Sequence, residues 1–263
     1  MKAYLPFSAF VLAFLLAFLL AFLLAFLLVL AAATAAPVDD TRRSGFEDMA
    51  ASTQALQRDD AQNPAMLWAQ DGEQRFAADC TRCHTTASMR GVAARYPAWD
   101  ATLKKPVTLA ARINLCRQRH VKAPALAAES DVLLGLETYV AMASRGLPIT
   151  PDQSPALKPF VAHGERLYRQ RVGQLDFSCT QCHDDNAGRR LASSLIPQAH
   201  PTGYPIYRLQ WQGMGSLQRR FRNCMSGVRA EPYAYGSDEF TALELFLQQR
   251  AAGMAVESPA VRP

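Results

Sequence analysis

Two five-residue segments of this chain could carry haem chemistry. Both have the form Cys-x-x-Cys-His and occur at 80–84 and 179–183. In this pattern two thiols add across the vinyl groups of a haem, and the histidine becomes an axial ligand of its iron. A zinc site or a dithiol redox pair is the alternative, but neither explains why a histidine follows both pairs. The sequence therefore predicts two covalent c-type haems, with thioethers at Cys80, Cys83, Cys179 and Cys182 and iron ligands at His84 and His183.

The N-terminal segment indicates the compartment. Lys2 is followed by a long apolar stretch that contains four Ala-Phe-Leu-Leu repeats, and small residues then lead to Ala36. This order is typical of a secretory signal peptide over residues 1–36, and the rest of the chain is expected in the periplasm. The apolar stretch is also about as long as a membrane-spanning helix, so an uncleaved N-terminal tether is the alternative.

The remainder is two copies of one unit. Each copy has a helical segment before its haem motif, a cationic segment around one further cysteine, and a final amphipathic helix that begins after Ser130 or Ser237. No alternating pattern indicates a sheet, so we predict an all-α fold of two tandem cytochrome c-like domains related by duplication. The expected boundaries are a loosely held lead segment at 37–61, domain 1 at 62–147, a proline-rich linker at 148–158 and domain 2 at 159–263.

Charge excludes one class of partner. The net charge is +5, and loss of Lys2 with the signal peptide lowers it to about +4. Basic residues are mostly interspersed with acidic ones, which is typical of a solvated surface, and we expect no nucleic-acid partner.

Two cysteines are left over once the haem thioethers are assigned. Cys116 and Cys224 could form a disulfide in an oxidising compartment. Each, however, follows the haem motif of its own copy at a similar distance, which favours ligation of the iron on the side opposite the histidine. Methionine is the more usual ligand there, and Met214 stays open as an alternative. Four arginines surround Cys224, and their charge would favour its thiolate and attract anions; they are Arg219, Arg220, Arg222 and Arg229.

At this point the chain resembles the SoxA family, the dihaem subunits of the SoxAX cytochromes that start thiosulfate oxidation in sulfur-oxidising bacteria. The resemblance covers nearly the whole mature chain. Its segments include those at 91–97, 112–117, 144–148, 204–208 and 229–232.

The resemblance implies a fold, an activity and partners. It implies two cytochrome c-like domains with His/Cys ligation of both haems, Cys224 as the catalytic sulfur and Arg220 as the active-site arginine. The implied activity is that of an L-cysteine S-thiosulfotransferase, which couples thiosulfate oxidatively to a cysteine of the carrier SoxYZ. Electrons would leave through SoxX, a monohaem cytochrome bound as a heterodimer, to a downstream acceptor cytochrome. A non-enzymatic dihaem electron carrier of the periplasm is the alternative function.

The duplicated motif predicts the mass of the mature protein. Material made together with the haem-attachment machinery should exceed the apoprotein mass by two haems in intact mass spectrometry, because each motif binds one covalently. A gain of one haem or none would contradict the assignment.

Overall fold

The computed structural model describes residues 14–23, 41–192 and 194–263. The chain divides into two units, Met1–Thr41 and Arg42–Pro263. Residues 14–23 form a helix, α1, and the rest of the predicted signal peptide at 1–36 lies outside the described residues. Among the helices of the described residues, none has the length and apolar character needed to cross a membrane.

The second unit is mainly helical, with short strands. Its α-helices are α2 (Ala51–Arg58), α3 (Ala65–Asp79), α4 (Leu109–Cys116), α5 (Asp131–Met142), α6 (Lys158–Arg169), α7 (Cys179–His183), α8 (Leu217–Gly227) and α9 (Asp238–Arg250). Its strands are β1 (Ala98–Asp100), β2 (Lys105–Val107), β3 (Arg190–Leu191), β4 (Ser194–Leu195), β5 (Ile206–Arg208), β6 (Gly213–Gly215) and β7 (Ala260–Arg262).

Each repeat is built on a close crossing of its first and last helices. A Cβ atom added at Gly72 of α3 would lie 2.0 Å from the carbonyl oxygen of Gly135 in α5. One added at Gly164 of α6 would lie 2.0 Å from the carbonyl oxygen of Ala242 in α9. Because only glycine lacks a Cβ, these positions let two helix backbones touch. The two repeats therefore share the same helix pairing, as the duplicated sequence predicts.

An aromatic pair follows each crossing by one helical turn. Phe76 packs on Tyr139 with ring centroids 5.2 Å apart, and Tyr168 packs on Phe246 at 5.3 Å. Phe76 and Tyr168 are almost fully buried, and each belongs to an apolar cluster that lies next to its helix crossing. These clusters extend to the first cysteine of each haem motif, which is thereby held against the crossing.

The predicted caps of the last helices are confirmed. The Ser130 hydroxyl accepts from the Leu133 amide at the start of α5, and the Ser237 hydroxyl accepts from the Phe240 amide at the start of α9. A serine in this position satisfies an amide that has no partner within the helix. The cap sets where each final helix begins and therefore which of its residues contact the first helix of the repeat.

A second duplicated element is a strand hairpin followed by a helix. In the first repeat β1 and β2 pair antiparallel and Thr108 caps α4; in the second, β5 and β6 pair and Ser216 caps α8. The two hairpins have the same register, since Ala98 faces Val107 and Ile206 faces Gly215. The expectation of a purely helical fold was wrong in this respect. Strands of two or three residues are too short to produce an alternating pattern.

The lead segment and the linker are both held against the second repeat. Arg42 donates to the carbonyl oxygens of Arg250 and Ala252, each at 2.9 Å, and α2 packs on β7. In the linker, Pro148 forms a bridge with Ala255. From Arg42 onward the lead segment is thus not loosely held as the sequence suggested, because its contacts lie about two hundred residues away and leave no local pattern.

Replacing Gly164 with alanine should test the crossing. The new methyl group would meet backbone, so we expect the free energy of unfolding to fall by about 2–3 kcal/mol. Gly227→Ala is the matched control, since a Cβ there meets nothing within 4 Å, and its stability should stay equal or rise by up to about 1 kcal/mol. Denaturant unfolding of the two holoproteins measures the difference. Equal stability of both variants would show that α6 and α9 are not in backbone contact.

Candidate functional site

The first haem motif lies on a single turn at the end of α3. The His84 amide donates to the Cys80 carbonyl oxygen at 2.9 Å, which keeps both cysteines and the histidine on one turn, as the motif requires. Cys116 is the last residue of α4 and lies close to Cys80. Burial, together with the neighbouring Asp79 and Cys116, raises the pKa of Cys80. An ion pair between Asp79 and Arg117 joins the helix that carries the motif to the segment after Cys116.

The second haem motif forms the short helix α7. Ser178 caps it in a capping box with Gln181, in which each side chain bonds the other residue's backbone amide. The Nδ1 atom of His183 lies 2.7 Å from the Pro197 carbonyl oxygen. Such a bond fixes the ring and directs Nε2 away from the backbone, which is the usual arrangement for a histidine that ligates a metal.

Cys224 on α8 lies close to His183 of the second motif. Burial raises the pKa of the Cys224 thiol, but His183 and the cations of Arg220 and Arg208 outweigh it, and the net pKa is lowered. The nearby haem-motif cysteines behave in the opposite way. Burial raises the pKa of Cys179 to about 12 and also raises that of Cys182. Cys224 is therefore the cysteine of this repeat at which a thiolate is favoured.

These residues fit a c-type haem. Each repeat offers two thiols and an imidazole on one turn, and the sulfur of a third cysteine lies close to that turn. An imidazole and a sulfur as axial donors suit low-spin iron. All six cysteines are free in this structure, which favours ligation over the alternative disulfide between Cys116 and Cys224. Each lies with the motif of its own repeat, the arrangement expected of an axial ligand.

The arginine cluster around Cys224 is smaller than the sequence suggested. Arg219 stacks on the Trp211 ring at 4.4 Å and donates to the Met214 carbonyl oxygen at 3.1 Å. Arg222 stacks on Tyr235 at 4.9 Å and donates to a backbone carbonyl. Both are thus engaged elsewhere. Of the four arginines predicted around this cysteine, Arg220 is the one whose charge acts on Cys224 most directly.

Two residues of the site were missed by sequence reasoning. Arg208 at the end of β5 is close enough to Cys224 for each to affect the pKa of the other. Burial raises the pKa of Tyr204, while Arg220 opposes this effect and Cys224 adds to it, so Tyr204 borders the same space. Both lie some 16–20 residues before Cys224. They come near it because β5 pairs with β6, which leads directly into α8. The available signal was the Tyr-Pro pair that occurs at an equivalent place in both repeats.

The methionine alternative is not favoured by the geometry. Met214 is 2% exposed and packs in an apolar cluster with Tyr207 and Val261. Its side chain serves that cluster, whereas Cys224 lies close to His183.

Comparison with known proteins identifies the family of this chain. The family model described as SoxA/TsdA, cytochrome c domain, matches residues 64–149 and 163–256. The L-cysteine S-thiosulfotransferase subunit SoxA of Pseudaminobacter salicylatoxidans is 35% identical over 229 residues, which cover 83% of this chain and 80% of that protein. The chain belongs to the SoxA family. The SoxA subunit of Paracoccus pantotrophus is 34% identical over 231 residues, covering 85% of this chain and 80% of that one.

A solved structure supports family membership at the level of the fold. The crystal structure of SoxXA from P. pantotrophus matches with a TM-score of 0.82 at 34% identity, covering 85% of this chain and 88% of that chain. The expected cytochrome c-like domains are thereby confirmed, and the chain is a c-type cytochrome of the SoxA family.

Substitution of Cys116 should test its role as a ligand. Cys116→Met is expected to change the visible and electron paramagnetic resonance spectra of one haem and leave the other unchanged, because sulfur donors of different charge split the iron levels differently. His120→Gln, in the next turn, is the control and should leave both spectra as they were. The ligand assignment would be wrong if both spectra of Cys116→Met matched the wild type and Cys224 became newly reactive towards alkylating agents.

Proposed function

We propose that this protein couples thiosulfate oxidatively to a cysteine of a SoxYZ-type carrier protein, as the names of its relatives indicate for them. Thiosulfate and a carrier thiol give a carrier cysteine S-thiosulfonate, one proton and two electrons. A new sulfur–sulfur bond forms between the carrier sulfur and the sulfane sulfur of thiosulfate. The reaction therefore needs a site that binds a dianion, holds a sulfur nucleophile and passes electrons on.

The observation that carries this proposal is the charge environment of Cys224. Its thiol pKa is lowered despite burial, by the neighbouring His183 and the cation of Arg220. In residues 41–192 and 194–263, no carboxylate forms an ion pair with Arg220. A guanidinium without a carboxylate partner beside a thiolate suits a small oxyanion whose sulfur must approach that thiolate.

The residues then have distinct roles. Arg220 holds the sulfonate oxygens by charge-assisted hydrogen bonds and points the sulfane sulfur at Cys224. The Cys224 thiolate bonds to that sulfur with loss of two electrons, and Cys224 carries the thiosulfate group as an S-thiosulfonate. The carrier thiolate next attacks the sulfane sulfur, and Cys224 leaves as a thiolate, in accordance with thiol–disulfide exchange. When bound, the haems supply the one-electron acceptors that this oxidation needs.

The partners and compartment follow from the same reaction. We propose two covalent haems, one held by Cys80, Cys83, His84 and Cys116 and the other by Cys179, Cys182, His183 and Cys224. The first serves structure or relays electrons. The match to a SoxXA structure supports a SoxX-type monohaem partner through which electrons leave to a downstream cytochrome. The signal-like N-terminus supports a periplasmic location.

A non-enzymatic dihaem electron carrier is the other candidate function. It would need both haem motifs but neither the lowered pKa of Cys224 nor a partnerless arginine beside it. Those two features favour the enzyme.

Cys224→Met separates the two functions. Methionine can still bind iron but cannot attack sulfur or carry it, so turnover should fall about a thousandfold or more while haem content is kept. Arg220→Lys keeps the charge but loses the two-pronged contact with a sulfonate, and its KM for thiosulfate should rise roughly tenfold. The assay is thiosulfate-dependent cytochrome reduction with the partner cytochrome and carrier present. Near-wild-type activity of Cys224→Met would leave the electron carrier as the function.

A further inference from the structure

The two repeats place residues of opposite charge at one equivalent position near the distal cysteine, which is Cys116 in the first repeat and Cys224 in the second. Tyr96 and Tyr204 are 108 positions apart, and so are Cys116 and Cys224. The hairpins between them have matching registers, in which Asp100 faces Lys105 and Arg208 faces Gly213. Asp100 at the end of β1 and Arg208 at the end of β5 are therefore structural counterparts.

The arginine four residues before the cysteine is also duplicated. Arg112 precedes Cys116 in α4 and Arg220 precedes Cys224 in α8, again 108 positions apart. One helical turn separates each arginine from its cysteine, so each occupies the same face of its helix as that cysteine. The repeats thus differ in charge at the strand position, Asp100 or Arg208, and both carry an arginine at the helix position.

In the first repeat the strand residue neutralises the helix residue. The Asp100 carboxylate is 4% exposed and lies 2.8 Å from the Arg112 guanidinium and 3.7 Å from that of Arg119. Its other oxygen accepts from the amides of Thr102 and Leu103 at 2.9 and 2.8 Å. Arg112 is therefore already paired with a fixed, buried anion, and an external anion would have to displace it.

In the second repeat the same two positions hold two cations. The guanidinium of Arg208 stacks on Trp211 at 5.0 Å, and its Nε donates to a main-chain oxygen of Pro263 at 2.7 Å, which fixes its orientation. Burial and repulsion by Arg220 lower the pKa of Arg208. In the described part of the chain, neither of these two arginines forms an ion pair with an acidic side chain.

We propose that Arg208 is a second anion-binding residue of the Cys224 site, and that the exchange of aspartate for arginine at this strand position confines thiosulfate binding to the second repeat. The inference rests on the proposed function and names a further substrate-binding residue for it. Thiosulfate carries two negative charges, one for each guanidinium. Two planar cations on different elements, β5 and α8, can hold the sulfonate from two directions and so orient the sulfane sulfur towards Cys224.

The inference predicts a graded loss of thiosulfate binding. Arg208→Asp copies the first repeat and should raise the KM for thiosulfate about a hundredfold, because it removes one cation and neutralises the other. Arg208→Lys keeps the charge but loses the two-pronged hydrogen bonding of the guanidinium, and it should raise the KM for thiosulfate severalfold. Arg219→Gln is the matched control, since Arg219 stacks on the same Trp211 ring from the neighbouring helix, and its KM should stay within about twofold of the wild type.

Equilibrium binding provides a readout independent of turnover. Calorimetric titration of oxidised holoprotein with thiosulfate, without carrier, should show weakening in the same order, while the haem spectra of all variants match the wild type. An unchanged KM and affinity in both Arg208 variants would overturn the inference. If Arg208→Asp folds poorly, an unchanged KM and affinity in Arg208→Lys would overturn it alone. Failure of the wild type to turn over thiosulfate would instead overturn the proposed function, so the two failures are distinguishable.

Discussion

Everything at the two haem sites depends on the backbone contact between the first and last helices of each repeat. Gly72 and Gly164 allow carbonyl groups of the partner helices to come closer than any side chain would permit. The aromatic pairs next to each crossing extend the contact to the first cysteine of the haem motif. The protein thereby holds two motifs on equivalent scaffolds, and differences between them must come from residues placed around the scaffold.

Those differences are electrostatic. In the first repeat a buried aspartate pairs with the arginine that lies one turn before Cys116. In the second repeat an arginine replaces the aspartate, and the thiol of Cys224 has a lowered pKa. One residue exchange on a short strand replaces an anion with a cation beside the distal cysteine. Because interactions between charges are stronger in partly buried surroundings, this exchange supports the anion site proposed for the second repeat.

The sequence predicted the parts of the structure that local spacing controls. The haem motifs, the serine caps and the pairing of Cys116 and Cys224 with separate repeats could all be anticipated from patterns of a few residues. The hairpins could not, because their strands are too short to alternate, and the docking of residues 42–58 depends on contacts with the far end of the chain. Arg219 and Arg222 were misjudged because adjacency in sequence does not determine the direction of a side chain on a helix. Arg208 was missed because it approaches Cys224 from a strand that is distant in sequence.

The central claim is that sulfur from thiosulfate is bound at Cys224 and not at its counterpart in the first repeat. Oxidised holoprotein can be incubated with thiosulfate labelled in its sulfane sulfur, digested without reductant, and mapped by peptide mass spectrometry. The account predicts label on the peptide that contains Cys224 and none on the peptide that contains Cys116. Label on both cysteines, or on Cys116 alone, would contradict the assignment of the second repeat as the catalytic one, and an absence of label from Cys224 would contradict its role as the sulfur carrier.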